Sequence, residues 1–299
     1  MSLQLRILNL ILRAGAKRRV AATTDPLRVR REMARGTSWA IVPPRGLCLL
    51  HRRCGGMPAL SLRVGQVAHD AVVLYLHGGG YVSGSPFMYR GLAGRLSRLS
   101  GLEVIVPDYR LAPEHPLPAA VDDAQAAWDD LVAKGYAPDR IILAGDSAGG
   151  GLAFLLLARL CAAGTPPAGV IAFSPWTDLS GSGESYRENV ATDVILTPAR
   201  IRKCSEDARG ELASDDPSVS PLFANFEAPP PVLIQHSMAE LLSDDSLSMA
   251  ERLRSFGCDV LVQSWPDTPH VWQFFDGRLP EAREALEDAA QAARRMLKM

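Results

Sequence analysis

The chain has 299 residues, 47% of them apolar, with 32 basic and 33 acidic side chains and a formal net charge of −1. That is enough for one large α/β domain with insertions, or two average domains, around a substantial core. The balanced charge gives no footprint for nucleic acid or another polyanion and points to action on small molecules.

Residues 1–16 are apolar but interrupted by Arg6, Asn9 and Arg13, and the basic cluster Lys17-Arg18-Arg19 follows them. A signal peptide would have its positive end first and an unbroken apolar run after it. Leu3, Ile7, Leu10, Ile11 and Ala14 instead share one helical face. That face fits packing on the protein body; because the opposite face is basic, it also fits weak association with a membrane surface. No apolar stretch approaches the ~20 residues of a transmembrane span.

From residue 46 onward the pattern alternates. Residues 46–53 and 58–64 read as strands turned at Gly55-Gly56, and 71–76 is an apolar run ending in a glycine cluster. Residues 86–99 have helical spacing, 103–106 form a strand, and 119–133 a helix with Asp122 and Asp123 near its positive dipole end. Next come a strand at 140–143, a helix at 150–162 and a strand at 169–173. Later strands fall at 232–235 and 259–263, and helices at 244–256 and 280–297. Fully apolar strands separated by helices predict an α/β fold with a mostly parallel sheet covered on both faces.

Nearly sixty residues separate the strand at 169–173 from that at 232–235; they are rich in Ser, Asp, Glu and Pro, with a weak helical stretch at 197–211. A gap that long inside a compact domain is usually functional. We read 46–299 as the catalytic domain, with a cap insertion at about 180–217 joined by N-terminal cap helices in residues 1–45. Cys48, Cys54, Cys161, Cys204 and Cys258 are widely spaced and include no C-x-x-C pair. Neither a zinc site nor a disulfide framework is signalled, and a cytoplasmic setting is expected.

Gly145-Asp146-Ser147-Ala148-Gly149 fits G-x-S-x-G, between a predicted strand and a predicted helix. A strand that turns sharply into a helix lifts the serine clear of the sheet, and bulky neighbours would clash at such a turn. Ser147 is therefore the candidate nucleophile, and the N–H of Ala148 at the helix start a candidate oxyanion donor. The strand at 71–76 ends in His77-Gly78-Gly79-Gly80, whose backbone can approach a ligand closely, making Gly79 and Gly80 further donors. No G-x-x-x-x-G-K-[ST] follows, which removes the phosphate-loop reading. His77 is read as structural.

A serine hydroxyl needs a base, and in this topology the acid and then the histidine follow the serine in the chain. Of six histidines only His236 and His270 lie beyond Ser147. His270, in a loop after a strand, is preferred as base, and His236 is assigned to the pocket or to a satisfied polar role. Glu240 lies in the loop after residues 232–235 and is preferred as the acid; Asp244, at the next helix start, is the alternative. Tyr81 and Trp176 are candidates either for the acyl pocket or for ordinary core packing.

Three blocks, His77-Gly78-Gly79-Gly80-Tyr81-Val82-Ser83-Gly84, Asp108-Tyr109-Arg110-Leu111-Ala112-Pro113-Glu114-His115-Pro116 and Gly145-Asp146-Ser147-Ala148-Gly149-Gly150, together resemble the hormone-sensitive-lipase-like esterases, in the bacterial branch with G-D-S-A-G. The resemblance runs from about Leu47 to the C-terminus. It implies an α/β-hydrolase fold with a helical cap and hydrolysis of short to medium acyl esters without a cofactor. Ser147, Glu240 and His270 match the triad, Gly79, Gly80 and Ala148 the oxyanion donors, and Asp108 and Arg110 a block that braces the site loops. The chain departs from the family before the acid, where Ser237-Met238-Ala239 replace a glycine and an acidic residue; the flexible Met238 is a candidate for reshaping the pocket. The same triad suits a lactone or amide hydrolase, and the same fold a non-catalytic binder. A homodimer is left open.

Overall fold

A computed structural model describes residues 1–17, 25, 28–31 and 42–299. The remainder of the expected N-terminal cap, 18–24, 26–27 and 32–41, lies outside the described residues.

The strands are β1 (Leu47–Cys54), β2 (Met57–Val64), β3 (Val72–Leu76), β4 (Glu103–Pro107), β5 (Ile141–Asp146), β6 (Gly169–Phe173), β7 (Val232–Ser237) and β8 (Val260–Trp265). They form one sheet in the order β1-β2-β4-β3-β5-β6-β7-β8. β1 and β2 pair antiparallel, β2 pairs antiparallel with β4, and every pair from β4 to β8 is parallel. β3, β5 and β6 are buried along their whole length, as strands covered on both faces must be.

Alternation within each strand sorts the core into two layers. Val72, Leu74, Ile141 and Leu143 point to the layer containing helices α3 (Ala119–Ala133), α4 (Ala148–Ala162) and α7 (Ser243–Ser255). Val73, Tyr75, Ile142 and Ala144 point to the layer containing α2 (Leu92–Ser100) and α8 (Pro280–Met296). The helix expected over 86–99 is divided: a single 3₁₀ turn covers Pro86–Tyr89, and α2 begins after Gly91, a poor helix former. Its interruption leaves Tyr89 free of the α-helical ladder, and the side chain turns toward the sheet.

Between β6 and β7 stand two helices, α5 (Ser185–Glu188) and α6 (Pro198–Arg209), the latter capped by Thr197, whose side chain accepts from the Arg200 N–H. α1 (Leu3–Ile11) continues into a wider turn, Leu12–Ala16. Its face is the reverse of the sequence expectation. Leu5, Leu8 and Leu12 are buried against Val194, Trp272, Phe275 and α8, whereas Leu3, Ile7, Leu10 and Ile11 point outward. Both sides of α1 carry apolar residues, so periodicity alone did not decide between them; the contact with α8 did.

Candidate active site

The site gathers at the C-terminal ends of β3, β5, β7 and β8, where open α/β sheets present their loops. β5 ends at Asp146 and α4 starts at Ala148, leaving Ser147 alone at the turn with φ 52° and ψ −125°. That left-handed backbone is strained for a serine. The turn is possible because its neighbours lack side chains. A Cβ on Gly145 would come within 2.3 Å of the Gly149 carbonyl oxygen, and one on Gly149 within 2.1 Å of that of Leu76.

His270 sits five residues beyond β8. Its Nε2 is 2.9 Å from Ser147 Oγ, and its Nδ1 donates to Glu240 Oε2. Glu240 Oε1 accepts the N–H of Ser237 at 2.9 Å, so both carboxylate oxygens are engaged. Glu240 and His270 are both buried. Burial disfavours the imidazolium, but Glu240, with Asp193 and Asp146 adding to it, outweighs that penalty and carries the His270 pKa above its ordinary 6.5. An imidazole that is hydrogen-bonded to a serine hydroxyl and backed by a carboxylate can accept the hydroxyl proton and hold it. Asp244, the alternative acid, faces away and accepts the Ser185 N–H at 2.8 Å.

The glycine loop lies against the elbow. Gly79 and Gly80 have φ of 126° and 66°, and neither their N–H groups nor that of Ala148 is paired with an acceptor among the described residues. Asp146 fixes the loop from below. Its Oδ1 accepts from Tyr75 hydroxyl at 2.9 Å and Gly78 N–H at 3.1 Å, and its Oδ2 from Tyr89 hydroxyl at 2.9 Å. Burial pushes the Asp146 carboxyl up to about 6 despite these donors. His77 is fully buried, held neutral by a pKa pushed down to about 4, and stacked on Tyr109 at 4.2 Å. Arg110 grips Asp123 at the start of α3, with Nη2 to Oδ1 at 2.7 Å and its own N–H to Oδ2 at 2.8 Å. Asp108 contributes through its backbone, donating its N–H to the Pro58 carbonyl at 2.8 Å.

The three expected pocket residues separate. Tyr81 and Trp176 are buried in the core beneath the glycine loop, their rings 6.0 Å apart. Met238 is exposed and lines a surface depression of ≈ 250 Å³ with His236, Asn189 and Asp244. His236 itself bridges Ser264 at 2.8 Å and Ser243 at 3.2 Å, away from Ser147. The residue that approaches the glycine loop from above was not anticipated: a Cβ on Gly80 would lie 2.9 Å from Cys204 Sγ of α6. Tyr75 and Tyr89 were missed too, since a tyrosine in an apolar strand or turn carries no signal of the carboxylate it serves. No His, Cys, Asp and Glu grouping suited to a metal occurs among the described residues.

A strained serine between strand and helix, a histidine and carboxylate behind it, and a glycine loop alongside define the class of α/β hydrolases. Comparison with known proteins agrees. A family model described as alpha/beta hydrolase fold matches residues 73–274. The chain is 40% identical over 218 residues to an acetyl-hydrolase of Streptomyces hygroscopicus, covering 73% of each protein. It is 34% identical over 233 residues to an esterase of Acinetobacter venetianus, covering 76% of each. It superposes on the crystal structure of an esterase from the bacterial hormone-sensitive lipase family with a TM-score of 0.93 and 35% identity, over 99% of both chains. The chain belongs to the hormone-sensitive-lipase-like esterases of the α/β-hydrolase fold, enzymes of the serine-hydrolase type.

Proposed function

We propose that the protein hydrolyses short to medium acyl esters through an acyl-enzyme on Ser147. The observation that carries this reading is the continuous chain Ser147 Oγ to His270 Nε2 at 2.9 Å, and His270 Nδ1 to Glu240, on a strained elbow. His270 takes the proton as Ser147 Oγ attacks the ester carbonyl. Gly79, Gly80 and Ala148 receive the oxyanion, each such donor being worth about 2.7–4 kcal/mol in comparable enzymes. Collapse of the tetrahedral intermediate expels the alcohol, which takes the proton from His270. Water then attacks the acyl-enzyme by the same route and releases the acid. The cycle calls for no cofactor.

The names of relatives support the short-acyl preference: an acetyl-hydrolase and, at 31% identity over 236 residues, an ethyl acetate hydrolase of Pseudomonas putida. We assign the acyl-length limit to a cap made of the N-terminal segment and residues 180–217. In support, Asn9 Nδ2 donates to the Asp267 carbonyl at 2.8 Å, Lys17 Nζ to that of Asp193 at 2.7 Å, and Cys204 lies over Gly80. Five free thiols are in keeping with a cytoplasmic setting, and the outward Leu3, Ile7, Leu10 and Ile11 with weak contact to a membrane surface. No helix among the described residues is long and apolar enough to cross a membrane.

The test is Ser147→Ala assayed on p-nitrophenyl esters from acetate to decanoate. Loss of turnover and of fluorophosphonate labelling in a folded variant, with the wild type fastest on short chains, is the expected result. Full activity in Ser147→Ala overturns the nucleophile assignment. Faster wild-type turnover of a matched lactone or anilide would move the substrate class.

A further inference from the structure

The acid loop is held from outside. The residues around Glu240, Ser237-Met238-Ala239-Glu240-Leu241, contain neither proline nor glycine to stiffen the turn, and Met238 points to solvent. Yet every carbonyl from 238 to 241 accepts a hydrogen bond from one short stretch between β6 and β7. Asn189 Nδ2 donates to Met238 at 2.9 Å and to Glu240 at 2.8 Å, Thr192 Oγ1 to Ala239 at 3.0 Å, and Ser185 Oγ to Leu241 at 2.7 Å. In the opposite direction, the Leu241 N–H donates to Asp193 Oδ2 at 2.9 Å.

We infer that residues 185–193 position the catalytic acid, and that Asp193 is the positioning residue through which the β6–β7 insertion aims Glu240 at His270. The inference rests on the ester-hydrolase reading above and adds to it the means by which the triad is aligned. Asp193 is buried, and its two oxygens serve different masters. Oδ1 accepts the N–H groups of Ile195 and Leu196, both at 2.8 Å, and so shapes the insertion's own turn; Oδ2 reaches across to the loop after β7. A buried carboxylate that accepts backbone donors on both sides is costly to shift, because any movement leaves a charge or an amide unpaired. The insertion and the acid loop are thereby joined at one point of low compliance, and Asn189 and Thr192 distribute the hold over the neighbouring carbonyls. This adds a hold on the loop backbone to the one that Ser237 gives the Glu240 carboxylate from within the loop.

The test is a mutant cycle between Asp193 and Glu240 on p-nitrophenyl acetate. Asp193→Asn keeps the size and one acceptor for the insertion turn but sets an amide group against the Leu241 N–H. The expected result is a fall in kcat of about 10- to 100-fold with KM within about 2-fold, as misplacement of a reacting group gives. In a Glu240→Ala background the same substitution should cost only about 2- to 3-fold in kcat, because Asp193 then has nothing to aim and only its charge near His270 is lost. Unchanged kcat in Asp193→Asn, or a full additional loss in the Glu240→Ala background, overturns the inference. If Asp193→Asn does not fold, Asn189→Ala, at a half-buried position, is read in the same cycle with the same criteria. Wild-type turnover by Glu240→Ala itself would instead overturn the triad reading, so the two failures are distinct.

Discussion

Ser237 donates its hydroxyl to the carbonyl of Thr268 at 2.6 Å, tying the loop that carries Glu240 to the loop that carries His270. Both groups are buried, and the N–H of the same serine donates to Glu240. Ser237→Ala therefore leaves a buried carbonyl unpaired, at about 1–3 kcal/mol. We expect stability to fall within that range by urea unfolding, and kcat to fall while KM stays near wild type.

The pH dependence follows from His270. The imidazole must be neutral to take the Ser147 proton, and its pKa lies above 6.5 because Glu240, Asp193 and Asp146 together outweigh burial. Hence kcat/KM declines as pH drops through that raised value. Glu240→Gln removes the nearest countercharge, lets burial dominate, and moves the acid limb to lower pH. It also removes the partner that fixes the tautomer, so kcat should fall by about 10³–10⁴-fold. An acid limb that stays in place in a pH–rate profile would contradict this account.

Leu5 and Leu10 make a paired test of the α1 face. Leu5 is 2% exposed and Leu10 68%. Leu5→Ala should cost about 2–4 kcal/mol wherever unfolding of α1 is monitored, for instance by hydrogen exchange, whereas Leu10→Ser should stay within about 0.5 kcal/mol. The reverse order would restore the face expected from periodicity.

Gly149→Ala probes the elbow. The added methyl would meet the backbone oxygens of Leu76 and His77 at 2.1 and 2.4 Å, atoms that no side-chain adjustment can move. We expect loss of folded protein or a stability drop of about 3 kcal/mol or more, read by thermal unfolding. Near wild-type stability and turnover would mean that β3 and α4 are farther apart.

Much of the fold is legible in the sequence. β3, β5 and β6 are apolar throughout because both faces are covered, and a covered strand announces itself as an unbroken run. Ser147 and His270 are legible as candidates because a motif and a chain order constrain them. Glu240 is legible as a candidate acid by its place after β7, with Asp244 the alternative; only geometry separates a carboxylate that reaches the imidazole from one that accepts the first N–H of α5. What stayed hidden depends on approach in space. Nothing in Asn189-Val190-Ala191-Thr192-Asp193 reports that it clasps a loop some fifty residues onward. Tyr81 and Trp176 read alike as pocket or core residues in the sequence, and the structure buries both.

The clasp on the acid loop has a consequence for how this enzyme can change. If the segments over the site govern substrate entry as proposed, residues 185–193 belong to that region and are also hydrogen-bonded to the loop that carries Glu240. On that proposal breadth and speed are drawn from one stretch of chain, and widening the cleft there is expected to slow the original reaction along with any new one. α6, which meets the glycine loop through Cys204 against Gly80, lies outside that stretch, and on the same proposal changes there would leave the aim of Glu240 in place.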